Sequence, residues 1–507
     1  MRKFSLLFLC LTFIYQISFA NSLKREMRAV WIATVANIDW PSQRNLASQA
    51  QRQELRKMLD EFQRNKINAI VMQIRPTADA FYPSALEPWS HWLTGKQGVR
   101  PNDFYDPLQF IIEEAHKRCI EVHVWLNPYR VTNSDDLKVL SNDHLYHKRP
   151  ELFLKYGGKY YFDPGLDETR NFLNRVVRDV VERYDVDAIH FDDYFYPYKV
   201  NGEEFPDNES FKNNPRGFAP HQKADWRRNN VDMVIAELQQ TIKSTKPWVE
   251  FGISPFGVWR NDNVDPRGSA TRAGVQNYDD LYADILKWLR EGTIDYVTPQ
   301  LYWEIGKKVA DYSVLVKWWS ENSYGKNLYI GLYASQLGQK SASAEWRKGN
   351  ELVRQMQLNK KYPQVDGAMF FSAKAIMGNY QGIADSLSKN LYKYPALIPV
   401  NRNINGEPSA QPQNIRVVRD SEEAYLLWDE VDEEGGCKVA YYVVYAFKGK
   451  KVGDLNNAEN IIKLTTENCL DLRELETRFK GYYTFVVTAV NKFKHESQPT
   501  HGVTRKL

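Results

Sequence analysis

Two aspartates stand side by side at positions 192 and 193, inside the run Ile189-His190-Phe191-Asp192-Asp193-Tyr194-Phe195-Tyr196-Pro197. Placing like charges together raises the pKa of one of them, which leaves a protonated carboxyl able to act as a general acid near neutrality. The aromatics that follow, Tyr194 first, lower the local polarity and push the same way. A third carboxyl, Glu304, closes the run Pro299-Gln300-Leu301-Tyr302-Trp303-Glu304. Glycoside hydrolysis normally needs two carboxyl groups flanking the scissile bond. Asp192 and Asp193 are the first candidates to carry it, and Glu304 either assists or is the second catalytic carboxyl. The plainer alternatives are a helix-capping pair on a loop for the aspartates and a salt bridge to a rim arginine for Glu304.

Other polar residues recur beside them. Arg75 and Asp79 stand together, as do Asn127 and Arg130, and Trp259 and Arg260. Each alone reads as structural. Together they make a polar rim interleaved with the flat rings of Trp40, Trp125, Trp259 and Trp303, which suits sugars because these present apolar C–H faces between hydroxyls. The residues expected to bind substrate are Arg75, Asp79, Trp125, Asn127, Arg130, Tyr194, Trp259, Tyr302 and Trp303. No Cys/His cluster has zinc spacing and no Gly-rich phosphate loop is visible, so neither a metal nor a cofactor is expected.

The elements that must hold these residues are legible as eight short apolar runs, at 28–35, 69–75, 121–127, 188–192, 250–256, 295–302, 328–333 and 367–372. Helix-like stretches alternate with them, at 47–65, 107–118, 168–184, 226–244, 278–291 and 344–359. Eight such alternations predict an α/β fold, a (β/α)8 TIM barrel; a doubly wound open sheet competes, but the glycine fingerprint it wants is missing. Alternate strand residues point in and out of a barrel. The third strand then turns Val122, Val124 and Leu126 outward and His123 and Trp125 inward, the fourth turns His190 and Asp192 inward, and the sixth turns Gln300, Tyr302 and Glu304 inward. A purely structural barrel fills its interior with branched aliphatics, so polar residues at the C-terminal strand ends point to a site.

The length suits one large domain plus a small one. We expect the barrel over 21–394 and a Pro- and Asn-rich linker over 395–412. A small all-β fibronectin type III-like sandwich follows over 413–507, its short alternating strands including Trp428 and the stretch from Tyr483 to Asn491. The two domains are expected to fold separately. Arg2 and Lys3, an apolar run to Ile17 and a small-residue close at Ala20 read as a signal peptide, 1–20, so the chain is expected to be exported, without a transmembrane segment in the mature protein. Its removal lowers the formal charge from +4 to +2, which gives no hint of nucleic-acid binding. Three cysteines then remain. Cys119 is expected as a packed thiol, and Cys437 and Cys469 could pair.

The strand-end motifs carry a resemblance. MRAVWIAT at Arg28, IRPTADAFYPS at Asp79, WLNPYR at Asn127, YFDPG at Asp163, HFDDYFYP at Asp192, SPFGVWR at Trp259 and PQLYWE at Glu304 resemble those of the glycosyl hydrolase-like 10 family, also called DUF187, over about residues 27–395. That resemblance implies a bacterial cell-envelope enzyme, periplasmic or extracellular, that cleaves peptidoglycan glycan strands lacking peptides. The expected activity is hydrolysis of an N-acetylhexosamine-containing polysaccharide. Two mechanisms stand open: a conventional Asp192–Glu304 pair, or attack by the substrate's own acetamido group with Asp192 and Asp193 assisting. The rival classes are a non-catalytic carbohydrate-binding protein and a surface-attachment protein on the same scaffold.

Overall fold

The computed structural model describes residues 23–420, 423–476 and 479–507, so the expected signal peptide lies outside the described residues. The chain forms strands β1 (Met27–Ile32), β2 (Ala69–Arg75) and β3 (Glu121–Leu126), a hairpin of β4 (Phe153–Tyr156) and β5 (Lys159–Phe162), then β6 (Ala188–Phe191), β7 (Glu250–Ile253), β8 (Tyr296–Val297), β9 (Asn327–Leu332) and β10 (Val365–Phe370). All but the hairpin close into a parallel barrel of eight strands, in the order β1-β10-β9-β8-β7-β6-β3-β2. Each of the eight apolar runs supplies one barrel strand.

The helices form because their apolar residues recur on one face. In Asp167–Arg183 the buried positions are Phe172, Leu173, Val176, Val177, Val180 and Val181, a stripe at helical spacing. That stripe joins the outer layer of the core, where Val122, Val124 and Leu126 of β3 also sit. Two expected helices are broken. The stretch 278–291 splits into Asn277–Asp280 and Ile285–Glu291, because Tyr282 takes a left-handed conformation and Asp284 caps the second helix. The stretch 344–359 splits into Ala344–Arg347 and Glu351–Asn359 at Gly349, whose φ is +78°.

Inside the barrel the alternation places Trp31, Trp125, Tyr296, Tyr329 and Met369 in a separate cluster. Polar groups stack among them along the barrel's length. His123 Nδ1 and His190 Nδ1 both bond the Tyr296 hydroxyl, at 2.9 Å each. Gly252 makes room for this column, since a Cβ there would lie 1.9 Å from the Tyr296 ring.

The tail carries β11 (Arg416–Asp420), β12 (Glu423–Leu427), β13 (Val439–Lys448), β14 (Ile461–Thr465), β15 (Cys469–Asp471), β16 (Tyr482–Asn491) and β17 (Val503–Lys506). They make two antiparallel sheets, β11-β12-β15 and β14-β13-β16-β17, packed around Leu426, Trp428, Phe485 and Val487. The other face of the four-stranded sheet, with Val443, Tyr445, Val486 and Val490, packs with Leu397 and Cys119 on the barrel's N-terminal side.

The stretch read as a linker is not a free tether. Leu397 and Ile398 are buried, and Leu397 exchanges backbone hydrogen bonds with Lys24 (2.8 Å) and Glu26 (3.0 Å). Lys494, from the turn after β16, reaches into the barrel's N-terminal end, 2.5 Å from Glu250 and 3.2 Å from Glu121. A shared core and a shared ion cluster join the tail to the barrel. Cys119 is the packed thiol expected, its thiol pushed up to about 12 by burial. Cys437 and Cys469 are both free. No helix among the described residues is long and apolar enough to cross a membrane.

Candidate active site

Strand β6 ends at Phe191, so Asp192 and Asp193 begin the loop at the C-terminal mouth, where barrel enzymes place their chemistry. Both are nearly buried, at 8% and 4% exposure. The Asp193 N–H donates to Asp192 Oδ1 at 2.8 Å, which sets the two carboxyls side by side. Gln300 Nε2 donates to the same Oδ1 at 2.9 Å and to the Ser254 carbonyl at 2.9 Å. Tyr198 donates its hydroxyl to Asp193. Burial and the charge of Asp192 push Asp193 well above the usual carboxylate range. Burial raises Asp192 as well, but its hydrogen bonds and the positive charge of Arg130 oppose the rise. The pair therefore keeps its last proton on Asp193 and its first negative charge on Asp192.

The pair opens on a cavity of about 310 Å³ whose walls include Trp31, Trp125, Arg130, Tyr194, Tyr302 and Tyr333. Tyr302 stacks on Tyr333 with ring centres 4.8 Å apart, and Phe371 continues this wall 6.0 Å from Tyr302. Under the pair lies His190, wholly buried and held neutral by that burial, with Nε2 3.0 Å from the Ser254 hydroxyl. Gln73 accepts the Thr34 and Val35 N–H groups, both at 2.9 Å, and so fixes the loop that brings Val35 to the cavity.

Of the residues expected from sequence, Asp192, Asp193, Trp125, Arg130, Tyr194 and Tyr302 line this cavity. The others stand behind it. Arg75 is wholly buried and forks onto Glu87 at 2.7 and 2.5 Å. It also donates to the Asn127 carbonyl and, at 3.2 Å, to that of Pro128. Asp79 accepts from the Thr77 hydroxyl at 3.1 Å. Asn127 ties the Pro76 carbonyl (3.0 Å) to the Trp125 indole N–H (3.0 Å), which fixes the orientation of Trp125. Trp259 is buried and stacked on Trp318, 6.1 Å between ring centres. Trp40 is buried and donates to the Gln51 carbonyl. Trp303 packs edge-on to Phe256.

Glu304 does not join the pair. The regular strand stops at Val297, and beyond Tyr302 the chain turns, with the Lys307 N–H donating back to the Glu304 carbonyl at 3.2 Å. The Glu304 carboxylate takes the Trp346 indole N–H at 3.1 Å and Lys307 Nζ at 3.3 Å. Trp346 in turn packs edge-on to Tyr333, so Glu304 sits behind the aromatic wall.

Trp31, Tyr198, Ser254, Tyr333 and Phe371 were not singled out from sequence. Four of them sit at or just past barrel-strand ends, a position that carries a signal once the strands are placed. Tyr198 lies in a loop and carries none. Away from the mouth, Glu121, His123 and Glu250 gather their ligand atoms within 4.8 Å of one another. The Lys494 ammonium bonds both of the carboxylates there, so this cluster already holds an internal cation.

A closed parallel barrel with a buried acid pair and an aromatic wall at its C-terminal mouth is the architecture of a barrel glycoside hydrolase. The sequence model of the family described as Glycosyl hydrolase-like 10 matches residues 26–348, and the chain belongs to that family and is a glycoside hydrolase. It is similar to the glycosyl hydrolase YngK of Bacillus subtilis (strain 168), 44% identical over 500 residues, 97% of this chain and 96% of that one. It is also similar to the glycosyl hydrolase DigH of Escherichia coli (strain K12), 40% identical over 370 residues, 68% of this chain and 83% of the other.

Proposed function

We propose that the protein hydrolyses O-glycosidic bonds next to an N-acetylhexosamine, in peptidoglycan glycan strands of the bacterial envelope, with the substrate's acetamido group as the nucleophile. The observation that carries this reading is that the two carboxyls of the cavity stand on neighbouring residues, tied together by the Asp193 N–H bond to Asp192 Oδ1. A conventional pair flanks the bond at roughly 5–5.5 Å for retention or 6.5–9.5 Å for inversion. Two carboxyls on adjacent residues at one side of the cavity do not flank a bond in that way, and among the described residues lining the cavity no third carboxyl stands opposite them.

In this reading Asp193 protonates the leaving oxygen as the C–O bond breaks. The acetamido oxygen closes on the anomeric carbon, and Asp192 accepts the acetamido N–H and balances the charge of the cyclic intermediate. Asp193, now a carboxylate, takes a proton from the water that reopens that ring. The two displacements give net retention. Gln300 holds Asp192 in place, and the Tyr302–Tyr333 wall packs the sugar face. Arg75, Asp79, Asn127, Trp259 and Trp303 act through the loops they brace. The small-residue close of the apolar leader at 1–20 supports export, and the strand order of the tail supports a fibronectin type III-like module.

The test is a thiazoline analogue of the cyclised intermediate. Ligands that resemble the transition state bind far more tightly than substrate, so the analogue should inhibit hydrolysis of purified glycan strands, followed by the appearance of new reducing ends. Failure to inhibit, together with a Glu304→Gln variant as inactive as Asp192→Asn, would restore the Asp192–Glu304 pair.

A further inference from the structure

The cavity is fastened in two halves. The acid pair stands on the loop after β6, where Gln300 and Tyr198 hold it. Strand β10 lies four places from β6 in either direction round the barrel, so its end faces the pair. There the ends of β1, β9 and β10 supply Val35, Ile38, Tyr333 and Phe371 to the cavity. One buried carboxyl, unused by the reaction, ties these three ends together. Asp39, 6% exposed, lies in the loop after β1, and its Oδ2 accepts the Ala33 N–H at 2.8 Å. Its Oδ1 accepts the Ser372 hydroxyl at 2.7 Å and the Lys374 N–H at 2.8 Å, both just past β10. Ser372 carries the connection on to the end of β9. Its N–H donates to the Ser335 hydroxyl at 3.0 Å, and the Ser335 N–H donates to the Phe371 carbonyl at 2.8 Å. Burial pushes the Asp39 carboxyl up to about 6, so at pH 7 it is ionised and both oxygens accept. The loop needs such a hold. Ala36 and Asn37, between the wall residues Val35 and Ile38, both take left-handed backbone, with φ of 55° and 52°, which a residue with a Cβ adopts only at a cost.

We propose that Asp39 is a positioning residue for substrate binding: its carboxylate clasps the loop after β1 to the end of β10 and so sets the wall that faces Asp192 and Asp193. Asp39 touches no reacting atom. It acts through Val35, Ile38 and Phe371, which meet the sugar. The inference rests on the reading of this cavity as the glycan site, and it divides the labour within it. Proton transfer belongs to the half on β6, and grip on the sugar belongs to the clasped half. Opening the clasp removes binding that ground state and transition state share, so the loss falls on KM rather than kcat. Loss of Asp192 or Asp193 does the reverse.

The experiment measures kcat and KM at pH 7 on soluble oligosaccharides cut from peptide-free glycan strands. Asp39→Asn keeps the size of the side chain but offers one acceptor oxygen to three donors, so one end of the clasp opens. KM is expected to rise about tenfold or more, the span of a lost charge-assisted hydrogen bond, with kcat within about threefold of the wild type. Ser372→Ala cuts the clasp at its other end and leaves Asp39 in place. It should move KM the same way, and the double variant should be little worse than Asp39→Asn alone, because the two changes remove one contact. Hydrogen exchange without substrate reads the clasp directly. In Asp39→Asn the peptides over 33–41 and 371–376 should exchange faster together, while that over 190–198 keeps the wild-type rate. An unmoved KM, a loss confined to kcat, or two losses that simply add overturns the assignment. Exchange that quickens equally in all three peptides overturns it too, since that is a general loosening of the barrel. A wild-type protein that turns over none of these oligosaccharides would sink the glycan reading instead, and the exchange result then decides whether the clasp stands.

Discussion

The Tyr198 hydroxyl donates to Asp193 from five residues further along the same loop, and among the described residues it is the one bond to this carboxyl that favours its ionised form from outside the pair. Burial and the neighbouring Asp192 charge act the other way and win, which is why the pair retains a proton. In the proposed mechanism activity needs Asp193 protonated and Asp192 ionised. The rate should therefore rise as the pair loses its first proton and fall as pH climbs through the loss of its second, and both limbs belong to the pair. Tyr198→Phe removes the donor that eases the second ionisation. Its alkaline limb should move to higher pH in a kcat profile on soluble glycan. A limb that stays put, or moves down, would take the acid role from Asp193.

Replacing either aspartate should be far more costly than replacing Glu304. Positioned acid–base groups contribute roughly 10²–10⁴-fold, so Asp192→Asn and Asp193→Asn should each lose at least that factor in kcat. Glu304→Gln keeps an acceptor for the Trp346 indole and touches the cavity only through Tyr333, so a loss of less than about tenfold is expected, within what one hydrogen bond supplies. Steady-state kinetics of the three variants at one pH decide the ranking.

Why the barrel could be read from sequence and part of its mouth could not follows from these same residues. Parallel strands buried on both faces are continuous apolar runs, which makes them conspicuous, and the inward phase of His190 carries directly to Asp192 at the strand's end. The same counting fails for Glu304 because β8 is only two residues long and the chain turns after Tyr302. Arg75 read as a rim residue because its partner, Glu87, lies 12 residues away in a loop with no periodicity to announce it. The docking of the tail was invisible for a related reason. Alternation shows that β13 has two apolar faces, Tyr442 and Val444 on one and Val443 and Tyr445 on the other, but not that the second meets the barrel.

Lys494 gives the docking a measurable consequence. Removing one partner of a buried ion pair leaves the other charged and unsolvated, at a cost of about 3–5 kcal/mol. Lys494→Met should lower the urea midpoint accordingly, and adding Glu250→Gln should recover part of the loss. A chain ending near Pro395 should be destabilised as well, because it also loses Leu397 and Ile398. If Lys494→Met unfolds at the wild-type midpoint, the cluster carries no net energy.

His144 should make the protein acid-sensitive. It is buried, its Nδ1 accepts the Tyr146 N–H at 3.1 Å, and burial brings its pKa down to about 4. A histidine depressed in the folded state contributes stability that is complete above its unfolded pKa near 6.5 and is lost as pH falls through about 4. The drop amounts to about 3 kcal/mol across that window. Urea melts at pH 7 and pH 4 should show a smaller loss in His144→Gln than in the wild type, and equal losses would remove His144 as the cause.

The column from Lys494 through Glu250, His123 and Tyr296 to His190 fills the barrel from its foot to the floor of the catalytic cavity. The molecule is a vessel with one opening. On the proposed function, a polymer cannot be threaded through it and has to lie across the rim, with both new chain ends leaving on the side from which the chain arrived. In the proposed mechanism the water for the second displacement enters by the same mouth, so the departing product must clear the Asp193 carboxylate before that water can reach it.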